Sequence, residues 1–178
     1  MKTRSLILLM GLLGNVVFFT ACDNNNDDVP TPPLSEQDEA FMVGASYGNY
    51  NEVELAALAD SISTNDSIDV FADMMLTDHQ ASQADLIALA NNWNVNIPLS
   101  PDSAHLAIKA QLLLLTGYSF DTAYIRGQIK DHEHAVALFQ FAADSSKVGS
   151  VRAYASKYLP KIRMHLEHAQ RISASLQQ

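Results

Sequence analysis

A single cysteine, Cys22, occurs in the 178 residues, so no intramolecular disulfide can form. Basic residues are few, eleven against twenty acidic ones. A surface of that sign repels nucleic acid, which sets that partner class aside. Glycine is thin too: beyond residue 21 it occurs at Gly44, Gly48, Gly117, Gly127 and Gly149, while Ala and Leu are plentiful. That balance favours helix over sheet. No stretch shows the apolar–polar alternation of a half-buried strand. There is no Gly-rich phosphate loop, no Gly-x-Ser-x-Gly elbow and no Cys nucleophile beyond Cys22, so no catalytic reaction is identified. Long apolar runs are also lacking. The longest, Leu6 to Phe19, is broken at Gly11, Gly14 and Asn15, and it falls short of the roughly 20 residues of a spanning helix.

That run nonetheless has a meaning. Lys2 and Arg4 precede it, and Phe19-Thr20-Ala21-Cys22 follows it. A positive start, an apolar middle and a small-residue exit make a secretory signal peptide over residues 1–21. The exit resembles a bacterial lipobox, with Phe19 in place of the usual Leu, and it points to lipidation of Cys22. The lipid would then be the tie to the membrane, since acyl chains contribute about 0.8 kcal/mol per buried CH₂. The alternative is an incidental small residue at the end of a cleaved leader. Residues 22–34 hold three prolines and no apolar periodicity, which reads as a tether. Its acidic start resembles the surface-export signal of lipoproteins in the Bacteroides-like phylum. The location expected is the cell envelope, lipid-anchored, on the periplasmic or surface side of the outer membrane. The 157 residues from Cys22 onward keep nine bases against twenty acids, a formal charge of −11. They fit one domain, at residues 35–178.

Helical periodicity covers that domain. Ser35 with Asp38 three residues on approximates a capping box. Phe41, Ala45, Gly48, Glu52, Leu55, Ala59 and Ile62 then follow at three-four spacing to a stop near Ser63-Thr64-Asn65. Asn65 or Asp66 caps a second helix with Ile68, Ala72, Met75, His79, Ser82, Leu86 and Trp93 inward. Ser100-Pro101-Asp102 starts a short helix, expected to run to about Leu115 and end at Gly117. A third long helix begins at Ser119 or Asp121 and buries Ile125, Ile129, His132, Val136, Phe139 and Ala143. The fourth runs from about Val151 to Ser175 with Tyr158, Ile162, His165, Ala169 and Ile172 inward, and a kink or break is expected at Pro160. Such helices pack as an antiparallel bundle, and the link over residues 94–118 either caps its end or runs along its side.

Each long helix carries one ionisable residue within its apolar stripe: Glu52, His79, His132 and His165. Counted from the hairpin turns at 1.5 Å per residue, their heights agree to about one turn within each hairpin. The four groups can converge near mid-bundle. Three imidazoles and a carboxylate suit one Zn, Fe or Cu ion. The alternative is a metal-free network of buried polar groups. The chain has no Glu-x-x-His, so the di-iron pattern is absent. Asp78 and Asp131 each precede a candidate histidine. They are read as solvated flank charges, or as partners of a histidine on a neighbouring helix. His134 and His168 fall off the stripes and are read as exposed, and His105 has no evident partner. Met42, Met74, Met75 and Met164 are read as packing.

Several segments resemble domain-of-unknown-function family 4142. They are Phe41 to Ala45, Gly48-Asn49, Glu52 to Leu55, Phe71-Ala72, Met75, Asp78-His79 and Leu86 to Ala90. Further on they are Leu115 to Gly117, Phe120-Asp121, Tyr124, His132, Leu138-Phe139, Leu159-Pro160, His165-Leu166 and Ala169. The resemblance spans about residues 38–172. It implies an exported, all-α protein with a ferritin-like antiparallel four-helix bundle, here with an extra short helix between helices two and three. Glu52, His79, His132 and His165 fall on positions of that pattern, and the family's activity is unsettled. Three readings follow: an envelope lipoprotein holding a transition-metal ion between its helices, a structural or protein-interaction module with a metal-free core network, and a redox or hydrolytic metalloenzyme. The protein partner is unspecified.

Overall fold

The computed structural model describes residues 32–177. The expected signal peptide, Cys22 and most of the expected tether lie outside the described residues. Five helices follow in order: α1 (Glu36–Ile62), α2 (Asp66–Trp93), α3 (Ser103–Leu112), α4 (Gly117–Ser145) and α5 (Gly149–Leu176). None is long and apolar enough to cross a membrane.

Local chemistry sets most of the ends. Ser35 and Asp38 close a reciprocal capping box at α1. The Asn65 side chain accepts from the Ser67 amide at α2, and Asp102 accepts from the His105 amide at α3. Asn94 ends α2 in the left-handed conformation, φ 54°. Two expected boundaries are corrected. The short helix stops at Leu112, and Gly117 opens α4 at φ 54° instead of closing α3. The turn before α4 needs a left-handed residue, which Gly supplies without a Cβ clash. Of the kink or break expected at Pro160, the break does not occur: α5 runs continuously through it. Pro160 and Ser156, the residue one turn back, are both exposed. The carbonyl that loses its bond therefore faces solvent, while Tyr158 and Ile162 pack on either side of the proline.

Two apolar layers show how the helices run. One joins the start of α1 (Phe41, Ala45), the end of α2 (Leu86, Leu89), the end of α4 (Phe139) and the start of α5 (Tyr154). The other joins the end of α1 (Leu55, Ala59), the start of α2 (Ile68, Phe71), the start of α4 (Phe120, Tyr124) and the end of α5 (Ala169, Ile172). The α1–α2 and α4–α5 hairpins thus pack with every neighbouring pair antiparallel, α1 beside α4 and α2 beside α5. The α2–α4 link must travel the whole bundle length. It lies along the side, with α3 against α1 and α4. Asn51 on α1 bonds both the Asp102 carboxylate (2.9 Å) and its amide (3.1 Å), and Lys109 pairs with Glu54. Leu34, just before α1, packs partly buried against the first layer.

Candidate metal centre

Between the two apolar layers lies a polar one. Its depth follows from the helical stripes: His79, His132 and His165 are 7%, 1% and 1% exposed, and Glu52 is 5% exposed. The three rings form a near-equilateral triangle, with centroids 5.8 Å (His79–His132), 5.4 Å (His79–His165) and 5.4 Å (His132–His165) apart. One ring nitrogen from each lies within 4.8 Å of the other two.

Their hydrogen bonds fix which nitrogens carry protons. His79 donates from Nδ1 to Asn49 Oδ1 at 3.0 Å. The Asn49 amide is oriented in turn by Gln83 Oε1, and Gln83 donates to Ser46. His132 donates from Nδ1 to the Gln128 carbonyl at 2.9 Å. His165 donates from Nε2 to Asp78 at 3.0 Å. The remaining nitrogens, His79 Nε2, His132 Nε2 and His165 Nδ1, are buried and without a hydrogen-bond partner. Three lone pairs therefore sit in one layer, each on a ring whose other nitrogen is held by an outer acceptor. Metal-bound imidazoles are oriented in this way. Burial, and secondly the neighbouring rings, push His79 well below the usual imidazole range. Burial, then His165, pushes His132 down to about 4. Burial also lowers His165, although Asp78 opposes it. All three are neutral near pH 7, the form that binds metal.

The structure thus brings three of the four inward groups together. Glu52 is set apart from the triangle. Its Oε1 comes within 3.8 Å of His132 Nδ1, the nitrogen already given to Gln128. Glu52 Oε2, Tyr124 Oη and both side-chain amide atoms of Gln128 are buried without partners. Burial, with Asp131 adding to it, pushes Glu52 up to about 8.

Neither Asp78 nor Asp131 is a solvated flank charge. Asp78 is tied to His165 and ion-paired with Lys161, and these hold its carboxyl below the usual range against its desolvation. Adjacent residues on a helix point about 100° apart, which turns Asp78 away from its own neighbour His79 and toward α5. Asp131 receives His105 Nε2 at 3.3 Å, while His105 Nδ1 meets Asp102 at 2.9 Å. Asp131, and then Asp102, raise His105 to about 9 despite partial burial, so it carries charge at neutral pH. A link from the crossover to α4 through His105 was not foreseen. The acid at its own N-cap, Asp102, was the available signal. His134 is exposed, whereas His168 is half-buried and sits edge-on to Phe71 at 5.9 Å. Met42 and Met75 are fully buried, and Met164 is 42% exposed.

The three imidazoles also line a cavity of about 390 Å³ whose walls include Gly44 and Gly48 of α1 and Leu138 and Phe139 of α4.

Comparison with known proteins adds family and fold. The family model DUF4142, described as a domain of unknown function, matches residues 24–172. A crystal structure of a DUF305 fragment from Deinococcus radiodurans superposes with a TM-score of 0.70 at 19% identity, over 81% of this chain and 99% of that one. At that identity the likeness speaks to the fold alone. No curated protein matches.

Proposed function

The chain belongs to the DUF4142 family, a domain of unknown function, and on that footing we propose that it is an envelope lipoprotein whose bundle binds one transition-metal ion on His79, His132 and His165. The observation that carries this reading is the set of three buried, unpartnered ring nitrogens. Buried polar atoms without partners cost free energy, and three imidazole lone pairs cannot satisfy one another. A cation satisfies all three at once. An all-nitrogen set suits Zn or Cu better than non-haem Fe, whose sites commonly add a carboxylate. Glu52, on the outer side of His132, is placed to tune that ring.

Metal analysis of the purified full chain tests this. About one Zn or Cu per chain is expected, with at least a tenfold loss of occupancy in His132→Ala and in His165→Ala. Equal metal content in the variants would assign the binding to surface carboxylates and end the reading.

The anchor is part of the proposal and rests on the sequence around Cys22. Acyl chains on Cys22 are the strong apolar tie left once the leader is removed. Cys22→Ser should therefore move the protein from the membrane to the soluble fraction or block its processing. Unchanged processing and membrane association of that variant would rule the lipoprotein reading out.

A further inference from the structure

We propose that the cavity beside the three imidazoles receives a small, uncharged organic molecule that offers a nitrogen or sulfur donor to the bound ion. This rests on the metal reading above and goes a step past it, to what the ion is exposed to.

Four observations carry the inference. First, among the described residues three ligands meet at the site and no fourth, since Glu52 stands off the triangle beside the outer nitrogen of His132. Zinc sites with three protein ligands keep a position for water or an exogenous molecule. Second, that position has room beside it. The cavity is about 390 Å³ and all three rings form part of its wall, a volume within the range of small-molecule sites. Third, its apolar wall is kept flat by a glycine with no packing reason to be one. A Cβ at Gly48 would meet nothing within 4 Å, whereas one at Gly44 would touch Leu138 at 3.4 Å. Glycine weakens a helix interior relative to alanine. At position 48 the space beside the helix is what a larger side chain would consume. Fourth, the charges around the cavity are already matched. Lys161 is held by Asp78, and His105 lies between Asp102 and Asp131. Among the residues lining it there is no unpaired Lys or Arg to receive an anion. Beyond the ion's own charge, such walls add nothing that favours a carboxylate or phosphate, whereas an uncharged body with one donor atom gains from their apolar part.

Cobalt(II) makes the test visible, because its absorption bands report the ligands around it. The full chain, kept in mild detergent for its apolar N-terminus, is loaded with Co²⁺ and titrated with imidazole, 4-phenylimidazole and azide. Saturable band changes are expected with the two imidazoles, 4-phenylimidazole binding more tightly than imidazole and azide weakest. Gly48→Leu should keep the Co²⁺ spectrum and lose at least tenfold in affinity for 4-phenylimidazole, with a smaller loss for imidazole. Gly48→Ala controls for folding and should melt no lower than the parent. A Co²⁺ spectrum that depends on His132 but ignores both imidazoles would overturn the cavity proposal and leave the metal reading standing. So would unchanged 4-phenylimidazole affinity in Gly48→Leu, while tighter binding of azide would overturn the assignment to uncharged ligands. Absence of a His132-dependent spectrum would remove the metal reading itself, and this proposal with it.

Discussion

Zn²⁺ or Cu²⁺ at a hundredfold excess over its Kd should raise the unfolding temperature by roughly 8 °C. An ion that binds the folded state alone contributes about 2.7 kcal/mol at that excess, and a domain of this size shifts by roughly 3 °C per kcal/mol. The pH dependence sharpens the expectation. Protons compete with a metal only where the imidazoles titrate, and all three are held below 6.5, His132 at about 4. The shift should therefore fall off less steeply between pH 7 and pH 5.5 than at a site of ordinary histidines. His132→Ala serves as the control. Thermal melts with no shift for any ion, or with an equal shift in the control, would sink the metal reading.

Glu52→Gln should stabilise the metal-free protein at alkaline pH and leave it nearly unchanged in acid. Burial, with Asp131 adding to it, lifts Glu52 from 4.5 to about 8. A raised folded-state pKa contributes stability that is fully present below 4.5 and is lost as pH rises through 8. Glutamine mimics the protonated acid and loses nothing over that window. At about 1.4 kcal/mol for each tenfold in proton activity, the gain reaches on the order of 4 kcal/mol by pH 8.5. The three histidines act in the opposite sense. Their lowered pKa values cost stability as pH falls from 6.5 toward 4, because the unfolded chain takes up protons that the folded one refuses. That term is common to parent and variant and cancels in their difference. Urea unfolding at pH 5 and pH 8.5 measures the difference. An equal effect at both values would mean that Glu52 stays ionised in the core.

Much of the bundle was legible because an amphipathic helix writes its buried face at three-four spacing. Phe41, Ala45, Glu52 and Leu55 on α1, and Tyr158, Ile162, His165, Ala169 and Ile172 on α5, are buried where that spacing puts them. The depth of the histidines was legible too, since rise per residue converts chain position into height. What spacing does not carry is side-chain direction within the layer. Glu52 and His79 share a height, yet Glu52 turns to the outer nitrogen of His132, a matter of rotamer and of how α1 is rotated against α4. The partners of Asp78, Asp131 and His105 escaped for a related reason. Apart from Asp102 at the N-cap of α3, each lies on another helix, and the His105–Asp131 pairing depends on the path of the crossover, which no local signal specifies. At Pro160 local propensity allows a break that α5 does not show, since Tyr158 and Ile162 pack into the core on either side of it.

The division of the three histidines between the hairpins has a kinetic consequence. His79 belongs to the α1–α2 pair, and His132 and His165 to the α4–α5 pair, with the α3 crossover as their covalent link. Each hairpin closes on a short turn and is rich in local contacts, so each can form quickly by itself. An ion on the three rings acts only after the hairpins have docked. It would leave the speed of folding almost untouched and slow separation, lengthening the lifetime of the assembled bundle by the factor through which it stabilises the folded state.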